Sequence, residues 1–340
     1  MAVTRDDVAK LAKVSPATVS YVINNGPRPV ADDTRDKVLW AINELGYQPS
    51  VVARNLRLQR TYTLGLILPD THNPYFAEVL RGIESTAFDN GYKVFLLHSS
   101  YDHDRELQYV DFLCGERVDG VIWIPATSKS EILTKFHQHN IPTVVTDRTD
   151  SRKNVPAVMA DNQRGGFLAT DHLVKLGHRR IGFIARPEEL SHSQGRMKGY
   201  MEALEKAGVP FDAALVCEGG FRFESGKRAV WELLDSKDPP TAVFAYNDIM
   251  AIGALRGAHE RGLCVPDDFS VVGFDDIAQA SFTCPALTTV FQDKYNMGKQ
   301  ATNLLIKLIE KQGLNEEEPT PLEVYLVVRE STGPARIIDA

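Results

Sequence analysis

Apolar residues in the first 47 positions recur every three or four residues, which is the spacing of amphipathic helices. Thr4, with Asp7 three positions later, resembles a capping box, in which side chains satisfy the free N–H groups at a helix start. Ser15 precedes a second helical stretch, and a third runs from the aspartate pair 32–33 to Gly46. The pattern predicts three short helices, the first two joined by a tight turn.

Each predicted helix has one apolar face, which is expected to point into a small core. These inward positions are Val8 and Leu11, then Val19, Val22 and Ile23, and finally Val38, Leu39, Ile42 and Leu45. The outer face of the second helix is left with Ala17, Thr18, Ser20 and Tyr21. Three of these four side chains are short, so this helix can approach another molecule closely.

From Thr63 onward, short apolar runs alternate with helical stretches. The strand-like runs are TLGLILP, KVFLLHSS, GVIWIP, PTVVTD, AVMAD, RIGFIA, ALVCEG, TAVFAYND and FSVVGFDD. The helical stretches fall near 75–90, 104–114, 129–139, 194–207, 225–235, 248–261 and 294–311. Nearly continuous apolar strands are typical of parallel sheets with helices on both faces. The expected fold class is α/β: an all-α headpiece, then two doubly wound parallel-sheet subdomains with a ligand at the carboxyl ends of their strands.

Composition and targeting signals narrow the class of protein. The 340 residues are 43% hydrophobic and 9% aromatic, as in an ordinary globular protein. No run of about 18 apolar residues appears, so no transmembrane helix is expected. The N-terminus, MAVTRDDVAKLAK, lacks the apolar centre of a secretory signal, so we expect a cytoplasmic protein. Four scattered cysteines favour free thiols packed as small hydrophobes over a disulfide, and no metal or cofactor is expected.

Charge is unevenly distributed along the chain. Residues 1–60 carry nine Lys and Arg against six Asp and Glu, a net charge of +3, whereas the remainder carries −10. A basic head on an acidic body is typical of a nucleic-acid-binding module attached to another domain. With the tight turn over 13–15, this charge indicates a helix-turn-helix in which SPATVSYVINN, residues 15–25, enters the DNA major groove. A small helical bundle without a nucleic-acid role is the alternative.

An ordered series of motifs then identifies a family. VTRDDVAKLAKVSPATVSYVINN and TRDKVLWAINELGYQPSVVARNLR resemble the DNA-binding region of the lactose/galactose repressor (LacI/GalR) family, and the likeness covers the whole chain. NPYFAEVLRGIE, HLVKLGHRRIGFI, GRMKGYMEAL, NDIMAIGAL, SVVGFDDI and VVRESTGP continue it. The resemblance implies a homodimeric transcription regulator, most simply a repressor, that binds palindromic double-stranded operator DNA and has a core like periplasmic sugar-binding proteins.

The resemblance also implies domain boundaries. It places a headpiece at 1–48, a hinge at 49–60 and an effector-binding, dimerising core at 61–340. Within the core, the N-subdomain takes about 61–160 and 292–322, and the C-subdomain takes 161–291 and 323–335.

DNA contacts carried over from the family fall on the headpiece and the hinge. They are Thr4, Ser15, Pro16, Ala17, Thr18, Ser20, Tyr21, Asn24, Ala53, Arg54, Leu56 and Arg57. Tyr21 departs from the Arg that family members often carry near the end of this helix, and a tyrosine cannot bond guanine bidentately as an Arg does. The polar contacts would therefore fall chiefly on phosphates, from Ser15, Thr18 and Ser20.

The hinge is expected to fold only when it binds DNA. Its helical stretch of roughly eight residues is shorter than the 12–15 or so at which an isolated helix becomes marginal in water. In the family, paired hinge helices insert a leucine into the minor groove, and Leu56 occupies that position here. A flexible tether is the alternative.

Effector contacts implied by the family lie at strand ends and loop starts of the core. They are Asn73, Tyr75, Phe76, Asp147, Arg148, Arg196, Phe221, Asn247, Asp275 and Gln292. Sugar hydroxyls both donate and accept hydrogen bonds, so carboxylates together with Arg and amide groups suit them, and Phe76 and Phe221 could sandwich the sugar ring. This set resembles a ribose-type pentose site. A purine effector is the alternative, which we expect to fit less well because Leu190 and His192 stand where polar groups would meet a base.

Two other classes of protein compete with a regulator. An enzyme would be expected to show a catalytic motif, and HExxH, GxSxG, Walker-type and GxGxxG patterns are all missing from the sequence. A transport-associated sugar-binding module would not be expected to carry residues 1–60. We therefore expect a regulator and no enzymatic activity.

Overall fold

The computed structural model describes two compact units, Met1–Thr61 and Tyr62–Ala340. The residues that it describes are 3–24, 29–48, 60–126, 131–147, 155–186, 193–311 and 321–336.

The first unit contains the three predicted helices, α1 (Arg5–Ala12), α2 (Pro16–Asn24) and α3 (Asp32–Leu45). The predicted capping box is present, because the Thr4 hydroxyl and the Asp7 carboxylate each bond the backbone N–H of the other residue. Lys13, at φ 51°, makes the tight left-handed turn into α2. The helix-turn-helix that the sequence predicts is therefore confirmed.

The small core of this unit differs in part from the prediction. Its fully or nearly fully buried residues are Val8, Ala9, Ala12, Val19, Val22, Val38 and Ala41. Leu11 and Leu39 were expected inside, but 37% and 45% of their surface is exposed. Ala9, Ala12 and Ala41 are buried in this core, whereas the longer Leu11 and Leu39 side chains are not.

In the second unit, the first lobe (N-lobe) is built on a five-stranded sheet in the order β2-β1-β3-β4-β5. The strands are β1 Thr63–Leu68, β2 Lys93–His98, β3 Gly120–Trp123, β4 Thr143–Thr146 and β5 Ala157–Val158, all parallel. Its helices are α4 Pro74–Asp89, α5 His103–Gly115, α6 Glu131–Gln138 and α11 Lys294–Ile309. The α5 and α6 helices pack on one face, and α4 and α11 cover the other, as in a doubly wound fold.

The second lobe (C-lobe) has a six-stranded sheet in the order β11-β10-β9-β8-β6-β7. The strands are β6 Ile181–Ala185, β7 Val216–Glu218, β8 Ala242–Ala245, β9 Ser270–Asp275, β10 Thr288–Gln292 and β11 Val324–Val327. The helices are α7 Asn162–Lys175, α8 Ser193–Lys206, α9 Phe223–Leu234 and α10 Asp248–Glu260. The sequence predicts a parallel sheet, but strand β11 is antiparallel to β10. The elements α7, β10 and β11 were also not predicted from the sequence.

The two lobes are joined where described segments of the chain cross between them. At one crossing, Ala160 bridges Leu322, and the Asp161 backbone N–H donates to the Leu322 carbonyl over 3.0 Å. A second crossing follows Gln292 at the end of β10. A cleft lies between the carboxyl ends of the two sheets.

The four cysteines are free thiols, as predicted. Only Cys217 is buried, whereas Cys264 and Cys284 are exposed. The expectation that all four pack as small hydrophobes is therefore wrong. Among the described helices, none combines the length and the hydropathy that a bilayer crossing requires.

Candidate functional site

A cavity lies in the cleft, with about 280 Å³ of empty space that is partly open to solvent. The N-lobe contributes Asn73, Tyr75, Phe76, Tyr101 and Asp147 to its lining, and the C-lobe contributes Arg186, Arg196, Phe221, Tyr246, Asn247 and Asp275. Every lining residue except Arg196 follows a strand end or starts a helix. This placement is expected for ligand sites in doubly wound sheets.

Two asparagines face each other across the cavity from the first turns of helices. Asn73 caps α4, and its Oδ1 accepts from the Tyr75 backbone N–H over 3.0 Å. Asn247 caps α10 in the same way, with 2.9 Å from the Met250 N–H to its Oδ1. Capping uses only the oxygen of each side chain, so each amide nitrogen remains as a donor that the cap does not use.

The charged floor of the cavity centres on Arg196 and Asp275. The Nη2 of Arg196 lies 3.7 Å from Oδ1 of Asp275, and both side chains are almost completely buried. The guanidinium also donates from Nε to the Asn162 Oδ1 over 2.8 Å and lies 3.6 Å from the ring centre of Phe274. These contacts on three sides hold Arg196 in place without a ligand.

Burial raises the pKa of two groups at this cavity, the Asp275 carboxyl and the Tyr75 hydroxyl. Removal from water raises the pKa of Asp275 to about 7, an effect that Arg196 opposes and Asp147 reinforces. Burial also raises the pKa of the Tyr75 hydroxyl well above its usual value. Tyr75 therefore stays protonated and donates to the Asp147 Oδ1 over 2.7 Å.

The two lining carboxylates also share an uncommon backbone conformation. Asp147 has φ 66° and Asp275 has φ 116°, in the region that favours glycine. Such conformations cost about 1–3 kcal/mol each and persist where the surrounding structure imposes them, most often at binding sites. Their presence on both sides of one cavity supports a binding role for the two residues.

The sandwich of a sugar ring between Phe76 and Phe221 stays a prediction, and the aromatic side chains of the cavity also contact one another. Phe221 stacks face to face on Tyr101, with the ring centres 3.7 Å apart and the planes at 6°. Arg186 covers the Phe221 ring at 4.1 Å. Phe76 instead meets Tyr75 edge to face, with the ring centres 5.0 Å apart. Phe76 and Phe221 line the same cavity, but the structure gives Phe221 an aromatic partner in the opposite lobe.

The structure brings most of the predicted effector residues together. Gln292 does not line the cavity but lies behind it, bonded to Asp275. Arg148 lies outside the described residues, as do Leu190 and His192. Asp248, next to the lining residue Asn247, accepts from the Thr289 hydroxyl and from the Ile277 N–H and thus ties α10 to the sheet.

Sequence reasoning missed three lining residues: Tyr101, Arg186 and Tyr246. A signal was available for each, because each stands shortly after the strand-like run KVFLLH, RIGFIA or TAVFA. The rule that selected Asp147 and Asn247, proximity to a strand end, would have selected these as well.

The headpiece residues predicted to contact DNA divide into two groups. On α2, Ser15, Pro16, Ala17 and Asn24 are exposed, and Thr18, Ser20 and Tyr21 are half-buried. The Ser15 Oγ accepts from the Thr18 N–H over 3.1 Å, so it serves as the α2 cap in addition to any DNA contact. Thr4 is likewise committed to the capping box. Ala53, Arg54, Leu56 and Arg57 lie outside the described residues.

In the described part of the chain, no group of three or more His, Cys, Asp or Glu side chains is placed to hold a metal ion.

Comparison with known proteins matches both units. Residues 4–50 match the family of bacterial regulatory proteins of the lacI type, and residues 61–326 match the periplasmic binding proteins and sugar-binding domain of the LacI family. Among curated proteins, the HTH-type transcriptional repressor CytR of Escherichia coli (strain K12) is 36% identical over 331 residues, covering 97% of this chain and 96% of its own. The repressor PurR of Erwinia tasmaniensis is 40% identical over 339 residues, covering 98% of each.

Solved structures agree with these matches. The lac repressor dimer bound to operator and the anti-inducer ONPF superposes with a TM-score of 0.86 at 30% identity, covering 98% of this chain and 100% of that chain. A LacI family regulator from Enterococcus faecium with bound ribose gives 0.74 at 30% identity, covering 81% of this chain and 100% of that chain. The family is regulatory and not enzymatic. The chain belongs to the LacI family and is a DNA-binding transcriptional repressor under the control of an effector.

Proposed function

We propose that this repressor binds a palindromic operator as a homodimer, and that a small sugar with a pentose ring, held between the lobes, sets its affinity for that operator. The residues predicted to contact DNA, on α2 and in residues 49–60, would bind the operator. A net charge of +3 over residues 1–60 supports this part of the proposal, because phosphate neutralisation provides much of the affinity for DNA. The similar lac repressor was solved as a dimer on its operator.

One observation carries the effector proposal: buried acceptors and donors meet around one small cavity. Asp147 and Asp275 can accept from ring hydroxyls, and Arg196 and the amides of Asn73 and Asn247 can donate to them. These groups already bond to one another or to neighbouring side chains, and a ligand rich in hydroxyls can join those hydrogen bonds, whereas an apolar ligand would desolvate polar groups without replacing the water they lose.

A solved relative supports a pentose as the ligand, because the similar regulator from Enterococcus faecium has ribose bound.

A ribonucleoside or purine is the second candidate, and one contact favours it. The parallel, stacked rings of Tyr101 and Phe221 offer flat faces on which a base could stack, with Arg186 alongside. Similarity to the CytR and PurR repressors points in the same direction. A free pentose and a ribonucleoside both contain a pentose ring, and in either case we propose that this ring contacts Asp275 and Arg196.

Calorimetry on the full-length chain tests these candidates. The panel is D-ribose, D-glucose, the four ribonucleosides, and free adenine and guanine. The proposal expects saturable binding of a ligand that contains ribose, lost in Asp275→Asn and retained in Asp238→Asn, an exposed aspartate outside the cavity. Binding of a ribonucleoside but not of ribose would select the second candidate. Binding of only a free purine would overturn the pentose assignment, and so would no binding from the whole panel.

A further inference from the structure

Lys294 has a buried side chain at the start of α11, directly after the crossing that follows Gln292. Only 8% of its surface is exposed. Its Nζ donates to the main-chain carbonyl of Asp275 and, over 2.9 Å, to that of Asp276, and it lies 3.3 Å from the carbonyl of Gln292. Three carbonyl oxygens therefore replace the water that the ammonium group loses on burial.

The position of this lysine is unfavourable for the helix that it begins. A cation at a helix N-terminus opposes the helix dipole, and burial of an ammonium group adds a further cost. The cap of α11 comes from the preceding residue, because the Asp293 carboxylate accepts from the Asn296 backbone N–H over 3.0 Å. The helix start thus does not require Lys294, and its hydrogen bonds indicate a role at the turn over residues 275–276.

The turn that Lys294 contacts has an uncommon backbone conformation at two consecutive residues. Asp275 has φ 116° and Asp276 has φ 51°, values that residues other than glycine rarely adopt. Such backbones persist where the surrounding contacts impose them. Here the contacts come from two directions, because Lys294 binds both carbonyls and the Nη2 of Arg329 bonds the Oδ1 of Asp276 over 2.7 Å.

The carboxyl group of Asp275 is held by the same segment of chain. The Nε2 of Gln292 donates to its Oδ1, and the Nη2 of Arg196 also faces Oδ1. Because both contacts are made with Oδ1, we expect Oδ2 to be the oxygen that accepts a hydrogen bond from a ligand in the cavity. The direction of Oδ2 depends on the backbone at position 275, to which Lys294 is bonded.

We infer that Lys294 is a positioning residue for the effector, which holds the backbone of Asp275 and Asp276 in its uncommon conformation and so directs the Asp275 carboxyl into the cavity. The inference rests on the proposed function, because it concerns the same effector site. Lys294 does not itself line the cavity and therefore acts through Asp275. Its charge acts on that carboxyl as well: the ammonium and Arg196 both lower the pKa of Asp275, whereas Asp147 raises it.

Calorimetry on the full-length chain, with D-ribose and uridine as probes, measures the effect on binding. Lys294→Met removes the ammonium group, and Lys294→Arg keeps a charged donor. Lys299→Met is the matched control, because Lys299 is exposed on the same helix. For a probe that binds the wild type, we expect at least tenfold weaker binding in Lys294→Met, partial recovery in Lys294→Arg and wild-type affinity in the control. Wild-type affinity in Lys294→Met would overturn the inference.

A pH profile distinguishes positioning of Asp275 from a merely structural role. The difference in unfolding free energy between the wild type and Asp275→Asn should change with pH up to about 7, where the folded carboxyl ionises, and then level off. Without the ammonium group the pKa of Asp275 is higher. When each Lys294 variant is compared with its own Asp275→Asn double variant, levelling off should therefore move up by at least about 0.5 pH units in Lys294→Met.

The same shift is expected in Lys294→Gln, which also lacks the charge and provides the measurement if Lys294→Met does not fold. Lys299→Met should keep the wild-type profile. A wild-type profile in the uncharged Lys294 variants would overturn the inference. Because the profile uses no ligand, it is independent of the proposed function: if neither ribose nor uridine binds the wild type, that function fails, and the profile alone decides whether Lys294 acts on Asp275.

Discussion

The Nε2 of Gln292 donates a 2.7 Å hydrogen bond to the Oδ1 of Asp275, and both side chains are buried. Gln292 ends the strand from which the chain crosses back to the N-lobe, and Asp275 lines the effector cavity. Arg196 makes a similar connection, because it pairs with Asp275 and bonds Asn162 beside another crossing. The floor of the cavity and the crossings between the lobes therefore share one polar network, and we expect an occupant of the cavity to act on the crossings through it.

Removal of Arg196 should damage both binding and stability. In Arg196→Ala at pH 8, where Asp275 is ionised, the carboxylate loses its buried partner, and breaking a buried ion pair costs about 3–5 kcal/mol. Urea unfolding should show a loss of that order, and calorimetry should show at least a hundredfold weaker binding of ribose or a ribonucleoside. An exposed pair provides the control: Arg261→Ala, which breaks the bond to Asp235, should cost at most about 1 kcal/mol. Equal losses in the two variants would contradict the assignment.

The raised pKa of Asp275 predicts a dependence of stability on pH. In the folded state this carboxyl keeps its proton up to about pH 7, whereas in the unfolded chain it loses it near pH 4. Its contribution to stability is therefore complete below pH 4 and is lost as the pH rises through 7. Asp275→Asn stays neutral, so its free energy of unfolding should improve relative to wild type between pH 5 and pH 8.

Urea titrations at several pH values check this prediction, with Asp238→Asn as the control because Asp238 is exposed. Parallel curves for the wild type and Asp275→Asn across this range would show that the carboxyl is already ionised in the folded protein.

The headpiece cap offers a test that is independent of any ligand. Loss of an N-cap hydroxyl typically costs about 1 kcal/mol. Thr4→Ala removes the two bonds that the Thr4 hydroxyl makes with Asp7 and should lower the melting temperature of the first unit, whereas Thr4→Ser should retain it. Circular dichroism with separate transitions for the two units would measure the effect. No difference between the Ala and Ser variants would mean that the cap contributes nothing measurable.

Leu56 tests the hinge proposed for residues 49–60. Leu56→Ala should weaken binding to a specific operator at least tenfold, because the minor-groove wedge is lost, while effector binding in the cavity stays at the wild-type level. Val51→Ala is a matched truncation in the same segment at a position without an assigned wedge. An operator affinity that is unchanged in Leu56→Ala would favour a flexible tether instead.

Local patterns in the sequence predicted most of the fold. The capping pair Thr4 and Asp7, the turn at Lys13 and the apolar strands are local signals, and each of them is confirmed. The errors concern tertiary packing: Leu11 and Leu39 have helical periodicity but are exposed, and alanines of the same helices are buried in the core. Strand β11 pairs antiparallel with β10 only because the chain returns from the N-lobe, which no local pattern records.

Most residues that line the cavity were predicted from their position at strand ends and from the resemblance to the family. The contacts that these residues make between the lobes could not be predicted in this way. Asp147, Arg196 and Asp275 could be placed because they follow strands or match a motif. The partner of Phe221 could not be predicted, because Tyr101 lies 120 positions away in the opposite lobe. The role of Gln292 as support for Asp275, rather than as a lining residue, also requires the three-dimensional arrangement.

The central claim is that the occupant of this cavity controls binding to DNA. Fluorescence anisotropy with an operator selected from genomic fragments would measure it, with and without a saturating ligand identified by calorimetry. The account predicts a 5–150-fold change in operator affinity for the wild type, which is the usual range for coupling of about 1–3 kcal/mol, and no change for Asp275→Asn. An operator affinity that is the same with and without the bound ligand would contradict it.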